Sequence, residues 1–115
     1  MIKGTVTSQG EYADGKDMCE LYISMASSDR LPHEYRKKKP IDMTIGDFVY
    51  EAGVHETREG VVWISSVLFR KRPTRRQARL VDALEEIGLR KGDKVRIETK
   101  SDGTFLLEPC GCSTK

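Results

Sequence analysis

The chain has little cysteine: Cys19, Cys110 and Cys112 are the only three in 115 residues. An odd count with one close pair makes a poor disulfide framework, so a reducing cytoplasm is the expected compartment. Long apolar runs are missing too. No window reaches the ~18 consecutive apolar residues of a membrane helix, and Met1-Ile2-Lys3-Gly4 lacks the basic-then-apolar opening of a secretory signal. There is no internal repeat and no low-complexity tract.

Motifs that carry covalent chemistry are also lacking. The chain has no nucleophile elbow, no phosphate-binding glycine loop and no metalloprotease helix motif. Gly10-Glu-Tyr-Ala-Asp-Gly15 is flanked by glycines but matches no phosphate-loop pattern. Cys110-Gly-Cys112 offers two thiolates, whereas a closed zinc site takes about four ligands. Cys19, His33 and His55 could complete such a site only without recognisable spacing. Catalytic residues, a metal and a cofactor are therefore not expected.

What is present is one domain's worth of chain, since domains run to ~100–200 residues. We expect a single β-barrel domain over residues 1–109 and a flexible tail over 110–115. Charge of one sign does not dominate the total, with 20 basic and 18 acidic residues and a formal net of +2. The layout is uneven. Residues 30–39 and 70–79 hold 11 basic and 1 acidic residue, a net of +10, while the other 95 residues net −8. Such runs attract polyanions through phosphate neutralisation and counterion release. The plain alternative is a solvated loop or helix face.

Residues 2–7 and 18–25 are rich in β-formers and read as strands. The turn-rich stretch from Gly10 to Asp17 separates them. Leu31-Pro32 opens a short piece, helical at most, that carries the first basic run. Ile41, Met43 and Ile45 alternate with polar residues as in a half-buried strand, and Phe48 to Ala52 continues past Gly46-Asp47. Residues 53–60 read as a hairpin connection, and the apolar run 61–69 as a central strand. Trp63 within that run is expected in the core.

Thr74 to Gln77 fits a capping box, and Leu80, Val81, Leu84 and Ile87 form one apolar stripe. The spacing predicts a helix over 74–87, closed by Gly88 as a left-handed cap. Arg75, Arg76 and Arg79 would then occupy its first turns, against the helix dipole. That placement suits an anion at the helix N-terminus. Equally, Arg79 could pair with Asp82 while the other two point into water. Strands over 94–99 and 104–108, joined by Ser101-Asp102-Gly103, complete the tally. The fold class expected is mainly β with one prominent α-helix: a small barrel of six to seven short, mostly antiparallel strands, with the helix closing one end.

The final third carries a resemblance. Ile87-Gly-Leu-Arg-Lys-Gly-Asp-Lys-Val-Arg-Ile97 followed by Thr104-Phe-Leu-Leu-Glu-Pro109 resembles the hairpin of swapped-hairpin transition-state regulators, which bind DNA. A helix, then Leu-x-x-Gly-Asp, then an alternating strand is similar to the plant-type DNA-binding pseudobarrel. Auxin-response transcription factors and the recognition domains of some restriction endonucleases share that fold. Arg30-Leu-Pro-His-Glu-Tyr35 resembles the Leu-Pro element after an early strand in those domains. The resemblance implies strands and loops that grip the DNA major groove. Archaeal CTP-dependent riboflavin kinases are similar as well, through Lys3-Gly-Thr-Val6 and the Leu-x-x-Gly-Asp strand; their Gly-Thr-Leu-Asn segment is absent here.

The function expected is nucleic-acid binding, with duplex DNA favoured over RNA. Arg30, Arg36, Lys37, Lys38 and Lys39 would form one arm. Arg70, Lys71, Arg72, Arg75, Arg76 and Arg79 would form the other. Arginines can read base edges with a bidentate fork, and lysines mostly position the backbone. Tyr35 could stack on a base or pack beneath its loop. The alternatives are an enzyme or binder acting on a phosphorylated small molecule, and an interaction module for an acidic protein.

Overall fold

Residues alternate between core and solvent in Ile2–Glu11, the first strand, β1: Ile2, Gly4 and Val6 point inward, while Lys3 is exposed. This period of two is what a half-buried strand requires. A computed structural model describes residues 2–70 and 74–110. The further strands are β2 (Asp17–Ile23), β3 (Lys39–Ile45), β4 (Phe48–Glu56), β5 (Val62–Arg70), β6 (Arg76–Arg79), β7 (Lys94–Thr99) and β8 (Phe105–Pro109). One helix, α1, spans Leu80–Glu86, and a single 3-10 turn spans Ser28–Arg30. The expected flexible tail lies outside the described residues apart from Cys110.

Seven strands close into a barrel in the order β2-β1-β7-β8-β3-β4-β5, with β2 pairing back onto β5. The small mostly-β barrel read from the sequence is thus observed. Two details differ from expectation. β6 is an eighth strand, and β3 runs parallel to β8, with Met43 opposite Phe105. Leu21, Ile23, Val54, Ile64, Leu68 and Ile97 fill the interior with no exposed surface. Each such side chain stabilises the fold by roughly 1.5–3 kcal/mol relative to exposure.

The predicted helix over 74–87 is half strand. Arg76 to Arg79 pair with β5, from Arg70↔Arg76 to Val67↔Arg79. A helix there would have only Ala78 to bury, because its neighbours are Arg76, Gln77 and Arg79. As a strand the same segment sets Ala78 opposite the buried Leu68 and satisfies the free edge of β5. Tertiary pairing therefore overrides the local capping signal. The helix starts at Leu80 and buries Leu80, Val81, Ala83 and Leu84. Asp82 in its first turn suits the helix dipole, whereas Glu85 and Glu86 in its last turn oppose it. Its end is as expected: Gly88 has φ of 80°, and Leu89 N–H donates to the Leu84 carbonyl at 2.9 Å, as in a Schellman cap.

β4 also outruns its expected end. Residues 53–56 are strand, and the connection is a tight turn in which Gly60 N–H donates to the Thr57 carbonyl at 3.0 Å. The β4–β5 register shifts between Ala52 and Val54, bending the barrel wall. Ser65 Oγ accepts the Val67 N–H at 3.2 Å on the opposite strand of this irregularity.

Candidate functional site

The first basic run forms the loop that enters β3. A turn closes it, with Lys37 N–H donating to the Glu34 carbonyl at 3.1 Å and Arg36 at φ of 69°. The Glu34 carboxylate lies 3.2 Å from Lys37 Nζ and 3.1 Å from Lys39 Nζ, and these ammonium groups hold it below the usual carboxylate range. Arg36 lies over the Tyr35 ring at 5.3 Å, so Tyr35 carries a cation from its own loop. Arg30 ends the 3-10 turn and is exposed.

Lys38 leaves this loop and crosses β4 over Gly53. A Cβ at Gly53 would sit 2.6 Å from Lys38 Cδ, so glycine is what lets the lysine stem lie flat there. The Lys38 ammonium reaches 5.9 Å from the centroid of Phe69 on β5. The second basic run comes to the same ring, with the Arg75 guanidinium 4.3 Å from its centroid. Lys38 and Arg75, one from each run, therefore share this face and are no farther apart than the sum of those distances. Arg75 also lies 3.5 Å from Glu51.

On the other side of the sheet from Phe69, Arg70 and Arg76 stand directly opposite each other at the end of β5 and β6. Like charges so placed repel unless an anion or an acid lies between them. No acid within ion-pair distance of either is found among the described residues. Arg70 stacks on Phe48 at 3.5 Å, and its buried Nε finds no hydrogen-bond acceptor. Lys71 and Arg72 lie outside the described residues.

Arg79 does not join this cluster. It stacks on Tyr12 at 3.9 Å and pairs with Asp14 at 2.7 Å, in the β1–β2 hairpin, not with Asp82. Asp82 takes Lys16 instead, at 2.7 Å. These contacts tie the hairpin tip to the start of α1. The anion site expected at that helix start is therefore not formed by Arg75, Arg76 and Arg79, which precede the helix.

A second surface escaped the sequence reading. Trp63, expected in the core, points outward from β5 and lines a groove of about 430 Å³ with Thr7, Gln9, Glu20, Tyr22 and Thr57. Burial raises the Glu20 carboxyl above its ordinary value. His55 on β4 stacks on the indole at 4.3 Å with the rings 15° apart. Burial, and then the nearby Lys38 charge, push the His55 ring below its ordinary value. Tyr22 is also part of the wall of a neighbouring groove of about 600 Å³, together with Lys3, Thr5, Met25 and Lys94. The signal was in the alternation of 62–69, where even positions are buried and odd ones are not. Outward Trp63, Val67 and Phe69 disguised it as a continuous apolar run.

The histidines are held apart from any ligand set. His33 Nδ1 bonds Glu56 Oε1 at 2.8 Å, across 23 residues that spacing could not bridge. Cys19 is buried between strands, and burial pushes its thiol up. Among the described residues no group of three or more His, Cys, Asp or Glu side chains could hold a metal; Cys112 lies outside them. No helix among these residues is long and apolar enough to cross a membrane. Comparison with known proteins gave no significant match to a family model, a curated protein or a solved structure.

Proposed function

We propose that this barrel is a nucleic-acid-binding domain of pseudobarrel type that grips duplex phosphates with one composite basic face. The observation that carries the reading is the shared Phe69 ring, which brings Lys38 of one basic run and Arg75 of the other together. Arg70 and Arg76 stand at the same end of the β5–β6 ribbon but on its other side, and add a second pair of cations there. A phosphate between these two would relieve their repulsion and give the guanidinium groups charge-assisted acceptors. Aromatic stacking of Arg70 and Arg75 holds their planar groups in place before a ligand arrives, which lowers the ordering cost of binding.

Part of the +10 is used internally. Lys37, Lys39, Arg75 and Arg79 already have carboxylate partners. Exposed pairs of this kind hold weakly and yield to a competing phosphate. Arg36, Lys38, Arg70 and Arg76 are the primary contacts in this reading, with Arg30 at the margin and Arg79 excluded.

Binding of a fluorescent random-sequence duplex at low salt tests the proposal. Wild-type protein binds, and K38Q/R76Q binds more weakly across all sequences, with a salt slope reduced by about 1 for each phosphate contact removed. R79Q changes the slope little. No binding by the wild type at low salt would sink the reading.

A further inference from the structure

A row of directly opposed residues crosses five strands on the outside of the barrel. Lys94 on β7 faces Thr5 on β1, Thr5 faces Tyr22 on β2, Tyr22 faces Trp63 on β5, and Trp63 faces His55 on β4. Neighbouring strands lie ~4.8 Å apart. Tyr22 and Trp63 thus form the middle of a platform with a cation roughly 10 Å away on each side. On one side is Lys94, whose ammonium donates to Thr5 Oγ1 at 3.1 Å. On the other is Lys38, which lies beside His55 and on the basic face.

The rings are accessible. Tyr22 is 38% exposed and forms part of the wall of both grooves. His55 backs the indole and is not part of the groove wall, leaving Trp63 to face the groove. The groove supplies hydroxyl and amide groups from Thr7, Gln9 and Thr57, which can donate and accept. The wall also carries Glu20, whose carboxyl burial raises above its ordinary value. Flat rings between cations match a chain of alternating π-faces and phosphates. Duplexes hide those π-faces inside their own stack, whereas an unpaired strand offers them.

We propose that the Lys94–Tyr22–Trp63–His55 row is a stacking platform for single-stranded nucleic acid, entered from the basic face through Lys38. The proposal rests on the nucleic-acid reading above for its phosphate contacts. Bases lie against Tyr22 and Trp63, and phosphates are neutralised by Lys38 at one end and by Lys94 with Lys3 at the other. A strand emerging from an opened duplex on the basic face would pass directly onto the platform.

Trp63 is the only tryptophan, so its fluorescence reports the platform alone. The experiment titrates the intact protein with an oligothymidylate of about ten residues, following Trp63 emission. Duplex binding is followed by anisotropy under the same conditions. Saturable quenching is expected, with Y22A weakening the oligomer about tenfold, in line with one lost base stack. K94Q weakens it less, and both variants leave duplex binding within twofold. Duplex binding without Trp63 quenching would overturn the platform and leave the basic face standing. Equal affinity for thymidine monophosphate and the oligomer would overturn it in favour of a small-molecule site. Quenching by a neutral oligosaccharide instead of the oligomer would also overturn it. Loss of all nucleic-acid binding would overturn both readings.

Discussion

Arg36 holds a left-handed backbone, φ of 69°, at the corner of the turn that aims the first basic run. A long side chain there costs conformational energy that glycine would not incur. R36G should therefore stabilise the protein by about 0.5–1 kcal/mol in urea unfolding, while weakening duplex binding. Stabilisation with unchanged binding would remove Arg36 from the interface. Gly4 is the opposite case. A Cβ there would sit 2.8 Å from the Tyr22 carbonyl oxygen, a backbone atom that cannot swing aside. G4A should cost about 1–3 kcal/mol by forcing β1 away from β2, readable as a lower urea midpoint.

The elements show where local pattern ends and tertiary pairing begins. Strands β1, β2, β3 and β7 were legible because each sets one apolar face against the barrel interior. Gly88 marked the helix end because only a left-handed residue closes that cap without strain. The helix start was not legible. Thr74 and Gln77 mimic a capping box, yet the free edge of β5 recruits Arg76 to Arg79 as a strand. The reading of Trp63 failed for a related reason: aromatic and aliphatic residues on both faces of β5 hid its alternation. With α1 only seven residues long, packing must hold it, since isolated helices of this length are marginal. L84A, which empties a fully buried position on α1, should cost about 2–5 kcal/mol in thermal or urea unfolding. A loss below 1 kcal/mol would mean that the helix is not docked as described.

At the scale of the whole molecule, the net charge of +2 conceals both a basic face and the acids that restrain it. The basic runs were legible in the sequence, but their meeting was not, because Lys38 and Arg75 are 37 residues apart and joined only through Phe69. Equally illegible was the separation of Arg79, which the β1–β2 hairpin takes for itself. The barrel thus brings Lys38 and Arg75 together at Phe69, while other basic residues stitch loops together. Asp82 and Glu86 lie close enough to act on the same Tyr50 as Arg70 and Arg76, so acids border these cations, and salt screens their fields.

The most direct test is the dependence of duplex affinity on salt. The basic face predicts that log K falls linearly with log salt, with a slope near −4 for about four to five phosphates neutralised. K38Q/R76Q should flatten that slope by about two contacts, whereas R79Q should leave it unchanged. A slope near zero, or one that R79Q flattens as much as K38Q/R76Q does, would contradict the composite face.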